Sequence, residues 1–253
     1  MLVGFPLERE KKLRSIMRYS KFEVMWYRPS LWEHAHRVSW IVEELAPIAK
    51  KHFKKFDGEK ARVLALVHDD AEIVIGDIQA GDKTRMSKAK LVRIWKDESK
   101  AIQALARRYP KFAGRYRYRG LLHEALTRKS VEAQVVTYAD KLDGYCESMH
   151  EVLAGNFVLL PALIFYAAAM PLFPSRFPLL KKFFSDTQSS LIDIASYNDF
   201  PMHRVKHYAL AQKPHTRRSL VIPTEFAFYN RWRELNVEHW GKEGMRLLTK
   251  RRE

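Results

Sequence analysis

Leu64-Ala65-Leu66-Val67-His68-Asp69-Asp70-Ala71-Glu72, residues 64–72, is the stretch on which the reading of the fold turns. An apolar run with helical spacing ends in an imidazole and a carboxylate side by side, which is the form of half a buried metal site. His68 continues the face begun by Ala61 and Leu64. Glu72 follows about one turn later on the same side, so a further carboxylate stands beside the pair.

Working outward, residues from about Leu31 to Gly155 read as helices almost throughout. Apolar positions recur at three and four, and β-branched alternation is scarce. The fold class expected is all-α, a helical bundle. A first helix is predicted over about Leu31–Lys51, with His34, Val38, Ile41 and Leu45 on one face. A second is predicted over about Glu59–Val74, stopping near Gly76. A charged amphipathic helix follows over about Ser87–Tyr109, with Pro110 as its terminator. Tyr and Arg alternate from Arg115 to Arg119, which reads as a basic surface loop or a loop near a phosphate site. A long helix is then predicted from about Ser130 to Ala154, stopped by Gly155-Asn156. Beyond Pro171 prolines, aromatics and basic residues are interspersed, with helical pieces expected around Leu179–Ala195 and Thr224–Leu248. The domain organisation expected is a core over residues 1–156 and a mainly helical C-terminal extension over 157–253.

The chain has 253 residues, of which 47% are hydrophobic, enough for a packed core without staples. A single cysteine, Cys146, excludes an intrachain disulfide. Met1 to Arg14 mix Glu, Lys and Arg without the apolar centre of a signal peptide, so the expected location is cytoplasmic. The apolar stretch Phe157 to Met170 is interrupted by Pro161 and falls short of the ~20 residues that span a bilayer, so a buried helix is expected and no transmembrane segment. The net charge of +16 favours anionic partners, whether phosphate-bearing metabolites, nucleic acid or an acidic membrane surface.

A divalent ion that activates water needs neutral imidazoles and carboxylates from several packed helices. His34, His68, Asp69 and Asp140 meet that need. His34 heads the apolar stripe of its helix, whereas His36 lies on another face beside Trp40 and is the weaker candidate. Asp140 sits among Val135, Val136, Ala139 and Leu142, where an unpaired carboxylate is expensive to bury unless a metal offsets the cost. Each residue alone has an ordinary explanation: a packed histidine, or an aspartate paired with Lys141 or an arginine.

The ordered elements Glu33-His34, His68-Asp69-x-x-Glu72, Gly76-Asp77 with Lys83, and Ala139-Asp140-Lys141-Leu142-Asp143 with Ala154-Gly155-Asn156 together resemble the HD-domain phosphohydrolases. The resemblance covers about Arg18 to Asn156 and is greatest to the 5'-deoxynucleotidase branch. It implies one divalent transition metal (Mn, Co, Fe or Zn) held by His34, His68, Asp69 and Asp140. It further implies that Glu72 orients or activates the attacking water and that Asp77 contacts substrate or transfers a proton. Arg18 and Lys83 occupy the positions of the phosphate-binding cations, with Arg28 as a substitute for Arg18. In the family an Arg-Trp pair is frequent in the upstream segment, whereas Arg18 is followed here by Tyr19.

The activity so implied is hydrolysis of nucleoside 5'-monophosphates, deoxyribonucleotides among them, to nucleoside and phosphate. Alternatives on the same core are a triphosphohydrolase, a cyclic-nucleotide phosphodiesterase or a nuclease. A different class of reading makes the chain a basic nucleic-acid-binding protein with a structural HD-like core. Arg115 to Arg119, Arg217-Arg218 and Lys250-Arg251-Arg252 would then contact phosphates, with Tyr116, Tyr118 or Trp232 stacking on bases. A homodimer through Phe157, Leu160, Ile164, Phe165 and Phe177 is a further expectation.

Overall fold

Ser30 and Glu33 set the start of the first long helix by capping each other's backbone, and the Ser30 N–H donates to Glu33 Oε2 at 2.9 Å. In the computed structural model that helix, α2 (Leu31–His52), follows a short α1 (Leu7–Ser15). The structure describes residues 2, 4–22, 28–78, 80–83, 85–153, 156–169, 177, 181 and 228–249. The chain gathers into two compact units: Met1–Ser20 with Arg28–Ala139, and Lys21–Tyr27 with Asp140–Glu253.

The first unit is built on α2 packed against α3 (Gly58–Val67). Leu31, Val38, Ile41, Val42 and Leu45 of α2, and Ala61, Leu64, Ala65 and Val67 of α3, are all buried. The side chain of Asp57 caps α3 by accepting from the Lys60 N–H at 3.0 Å. Further along come the single turns α4 (Glu72–Ile75) and α5 (Ala80–Lys83), then α6 (Lys88–Arg108), capped by Ser87. A small antiparallel hairpin of β1 (Phe112–Ala113) and β2 (Tyr116–Arg117) leads into α7 (Tyr118–Thr127) and then α8 (Val131–Leu153). The all-α expectation therefore holds, with one two-stranded ribbon added.

Two expectations are corrected. The helix predicted over Glu59–Val74 is not continuous: α3 ends at Val67 and α4 starts at Glu72. Between them the N–H groups of Asp70, Glu72, Ile73 and Val74 bond to the carbonyls of Val67, Asp69, Asp70 and Ala71, three residues back, so the chain is wound more tightly than an α-helix. The Tyr–Arg alternation at 115–119 is not a loop. It is the turn and second strand of the hairpin followed directly by the start of α7, a helix that the apolar spacing did not reveal.

The interruption is anchored by a buried ionic knot. Arg9 of α1 donates through Nε to Asp70 Oδ2 at 2.8 Å and through Nη2 to Asp70 Oδ1 at 2.7 Å and the Leu66 carbonyl at 2.6 Å. Tyr118 Oη, from the first residue of α7, donates to Asp70 Oδ2 at 2.6 Å. All three side chains are buried. The turn carrying His68 and Asp69 is thus tied to α1 and α7.

In the second unit, Trp232 Nε1 donates to the buried Asp143 Oδ1 at 2.7 Å, and His150 Nδ1 lies 2.8 Å from Tyr229 Oη. A Cβ added at Gly144 would meet Tyr166 Oη at 2.6 Å, so α8 and α9 (Leu160–Ala169) pack closely there and a larger residue would displace the Tyr166 ring. A short 3₁₀ turn (Phe157–Leu159) precedes α9. The last described helix, α10 (Phe228–Thr249), bends at Gly241. Most of the helix expected over Leu179–Ala195, the Ala154-Gly155 stop, Arg217-Arg218 and Lys250-Arg251-Arg252 lie outside the described residues. No described helix is long and apolar enough to cross a membrane.

Removing one partner of the knot leaves the other charge buried and unpaired. Arg9→Met should lower unfolding stability by about 3–5 kcal/mol, and Tyr118→Phe, which removes one hydrogen bond to a charged group, by about 1.5–3 kcal/mol. Denaturant titration followed by circular dichroism measures both.

Candidate metal centre

The break between α3 and α4 decides where the reactive groups point. His68 sits just past the end of α3, and its Nδ1 lies 2.7 Å from the Ala65 carbonyl. A carbonyl only accepts, so Nδ1 carries a proton and Nε2 is the nitrogen turned toward the site. That Nε2 is buried and makes no hydrogen bond; it faces Asp69 Oδ2 at 3.2 Å.

His34 reaches the same point from α2. It is wholly buried, with Nε2 3.4 Å from the same Asp69 oxygen. The rings of His34 and His68 have centroids 5.3 Å apart, and a ligating nitrogen of one lies within 4.8 Å of that of the other. Two imidazoles and a carboxylate, from α2 and from the turn after α3, therefore converge. Burial raises the Asp69 carboxyl, but the imidazoles of His68 and His34 outweigh it and hold it well below the usual carboxylate range. Arg18 Nη1 stands 3.7 Å from Asp69 Oδ2, placed by the pairing of Met17 with Ser30.

The donor set fits a divalent transition ion. A buried imidazole nitrogen without a hydrogen-bond partner, a second imidazole beside it and an ionised carboxylate form a mixed nitrogen and oxygen environment. The Ala65 carbonyl holds the Nδ1 proton and so directs Nε2 toward an ion.

Glu72 opens α4, with Oε2 buried and lacking a hydrogen-bond partner. Burial first, then the charges of Asp69 and Asp77, push its carboxyl well above the ordinary value, against Arg18 and Lys83. Gly76 has φ 79° and ψ 164°, a conformation essentially restricted to glycine, and its N–H donates to the Glu72 carbonyl at 2.8 Å. This turn brings Asp77 back into the field of the same groups. Its carboxyl is raised by burial, opposed by Arg18 and reinforced by Asp69. Lys83 Nζ is held at 3.2 Å from Glu98 Oε1 of α6.

Asp140 begins the second unit and is described with it: it lies on α8, with Oδ2 2.6 Å from Lys141 Nζ. His36 turns elsewhere, its Nδ1 2.9 Å from the Trp32 carbonyl. Glu33 serves the helix cap and an ion pair with Arg14 at 2.7 Å.

A cavity of about 250 Å³ adjoins the pair, lined by His68, Asp69, Glu72, Lys83, Trp95 and Arg128 among others. The sequence reading missed the last two. Trp95 is 49% exposed on α6, an apolar ring amid charged residues and in helical register with Leu91 and Glu98, which was the available signal. Arg128 ends α7 in the left-handed region, at φ 53°. Nothing in its neighbours Thr127 and Lys129 distinguished it.

Over residues 8–161, more than half of the chain, the sequence matches the family described as 5'-deoxynucleotidase YfbR-like. It is 30% identical over 126 residues to a 5'-deoxynucleotidase of Pectobacterium atrosepticum, covering 49% of this chain and 61% of that protein. A 5'-deoxynucleotidase of Vibrio vulnificus is 29% identical over 126 residues, with 49% and 63% covered. The match thus spans less than two thirds of these relatives' length. Among solved structures, an HD-domain phosphohydrolase from Listeria innocua shares the fold at a TM-score of 0.59, with 17% identity, 82% of this chain and 97% of that chain covered. A Pyrococcus horikoshii protein aligns at a TM-score of 0.55, with 26% identity, 73% and 97% covered. With the family match spanning more than half of its length, the chain belongs to the YfbR-like 5'-deoxynucleotidase family.

Proposed function

We propose that the protein is a metal-dependent phosphohydrolase that cleaves nucleoside 5'-monophosphates, deoxyribonucleotides among them, to nucleoside and inorganic phosphate. His34, His68, Asp69 and Asp140 are the proposed ligands of one divalent transition ion. The observation that carries this reading is the bare, buried Nε2 of His68, directed at Asp69 Oδ2 with the His34 ring alongside and a cavity adjoining. Asp140 enters the set as a carboxylate on a third helix, which would raise the donors from three to four. Residues 1–156 are the proposed phosphohydrolase core, with 157–253 as its extension.

When bound, the ion supplies Lewis acidity toward a phosphoryl oxygen and water. The chain's own groups divide the remaining work. Glu72 Oε2, buried and without a hydrogen-bond partner, takes the proton of the attacking water; a carboxyl raised above its ordinary value suits that role near neutral pH. Asp77, raised in the same direction, returns a proton to the departing 5'-oxygen. Arg18 and Lys83 offset the charge of the phosphoryl group, and Arg128 lines the same cavity. Leu91, Ile94 and Trp95 of α6 give the cavity an apolar wall, and the half-exposed indole suits a flat nucleobase.

Asp69→Ala should lose both bound metal and phosphate release, read by elemental analysis and a phosphate assay. Glu72→Gln should keep its metal while kcat falls by about 10²–10⁴-fold; full activity in that variant would remove Glu72 from the mechanism. Because the base must be ionised, the wild-type rate should drop as pH falls through a value above the usual glutamate range, and the profile of kcat against pH shows where that limb lies. Trp95→Ala should raise KM for nucleoside monophosphates with little change in kcat. Product analysis must give inorganic phosphate; tripolyphosphate or shortened oligomers would identify a different hydrolase.

A further inference from the structure

On another side of α6 and α7 lies a larger cleft of about 750 Å³ that shares no lining residue with the His-Asp cavity. Arg107 of α6, Lys111 ahead of the hairpin, Arg117 of β2 and Arg119 of α7 all border it, joined by His123, and no carboxylate does. Each of these four cations is exposed.

The arrangement differs from the basic surface around it. Neighbouring Arg108 is paired with Glu8, and Arg115 with Asp57 and Glu59. Among the described residues Arg107, Lys111, Arg117 and Arg119 form no ion pair; Lys111 has only the Phe112 ring, 5.9 Å from its Nζ. Four permanent positive charges around one concavity repel one another, and an anion bearing several charges offsets that repulsion. The first turn of α7 adds to the field, since its N-cap, Arg117, provides no capping side chain.

We propose that this cleft binds an oligophosphate, the chain of two or three phosphates carried by a nucleoside polyphosphate, at a site separate from the proposed phosphohydrolase centre. Three guanidinium groups favour phosphate, whose oxygens accept paired N–H donors from several arginines at once. The concavity has the volume of a nucleotide-sized ligand pocket. A nucleic-acid strand fits less well, because Tyr118 in the lining is wholly buried and committed to Asp70, which leaves the imidazole of His123 as the one exposed ring there for a base to stack on.

Calorimetric titration of inorganic tripolyphosphate into the full chain, with chelator present, tests the site without reference to the hydrolytic reaction. Wild-type protein should bind, and Arg107→Gln/Arg119→Gln should bind at least about tenfold more weakly. Arg115→Gln, which removes an exposed charge that already has partners, should bind as wild type, and phosphate release from nucleoside monophosphates should be unchanged in all three proteins. Undetectable binding to wild type overturns the proposal. So does equal binding by the double variant, or equal weakening by Arg115→Gln, which would mean general charge attraction. Capture of a fluorescent oligonucleotide in place of tripolyphosphate overturns it in favour of nucleic acid.

Discussion

The carboxylate of Asp70 is the constraint on which the first unit depends. It is buried and accepts from Arg9 and Tyr118, side chains supplied by helices far apart in sequence. A buried charge so fully hydrogen-bonded tolerates little displacement, because losing either donor leaves it desolvated without compensation. By fixing Asp70, the knot fixes the tight turn between α3 and α4. That turn aims the side chains before and after it: His68 and Asp69 toward His34, and Glu72 toward the adjoining cavity.

Three acidic residues within a few positions consequently have different chemistry. Asp70 is structural, held by Arg9 and Tyr118. Asp69, beside two imidazoles, stays ionised despite burial and suits a ligand. Glu72 is driven toward protonation by burial first and then by the charges of Asp69 and Asp77, which suits proton transfer. The sequence Asp69-Asp70-Ala71-Glu72 presents them as one acidic cluster, and only the neighbours brought by α1, α2 and α7 separate their roles.

Helices α6 and α7 serve two cavities. On α6, Ile102 lines the His-Asp cavity while Gln103 and Arg107 line the basic cleft; on α7, Leu122 and His123 divide in the same way. Adjacent residues of a helix point about 100° apart, so one pair of helices separates an acidic, metal-suited space from a cationic one. The net charge of +16 is therefore not spread evenly. Part of it is neutralised in surface ion pairs, and part is gathered where no carboxylate answers it.

Periodicity alone determined the all-α class and the course of α2, α6 and α8, because a helix buries every third or fourth residue, and it marked His34, His68, Asp69 and Asp140 as candidates, because a histidine or aspartate on such a stripe stands out. It did not reveal the interruption at His68–Ala71. The apolar pattern runs through it without change, and the cause lies in Arg9 and Tyr118, distant along the chain. The same limit concealed α7, whose first turn reads as alternating Tyr and Arg, and the cavity role of Arg128, which resembles any other basic residue at a helix end. Which carboxylate is ionised, which imidazole nitrogen is bare and which cations lack partners are properties of neighbours in space, so tertiary structure alone decided them.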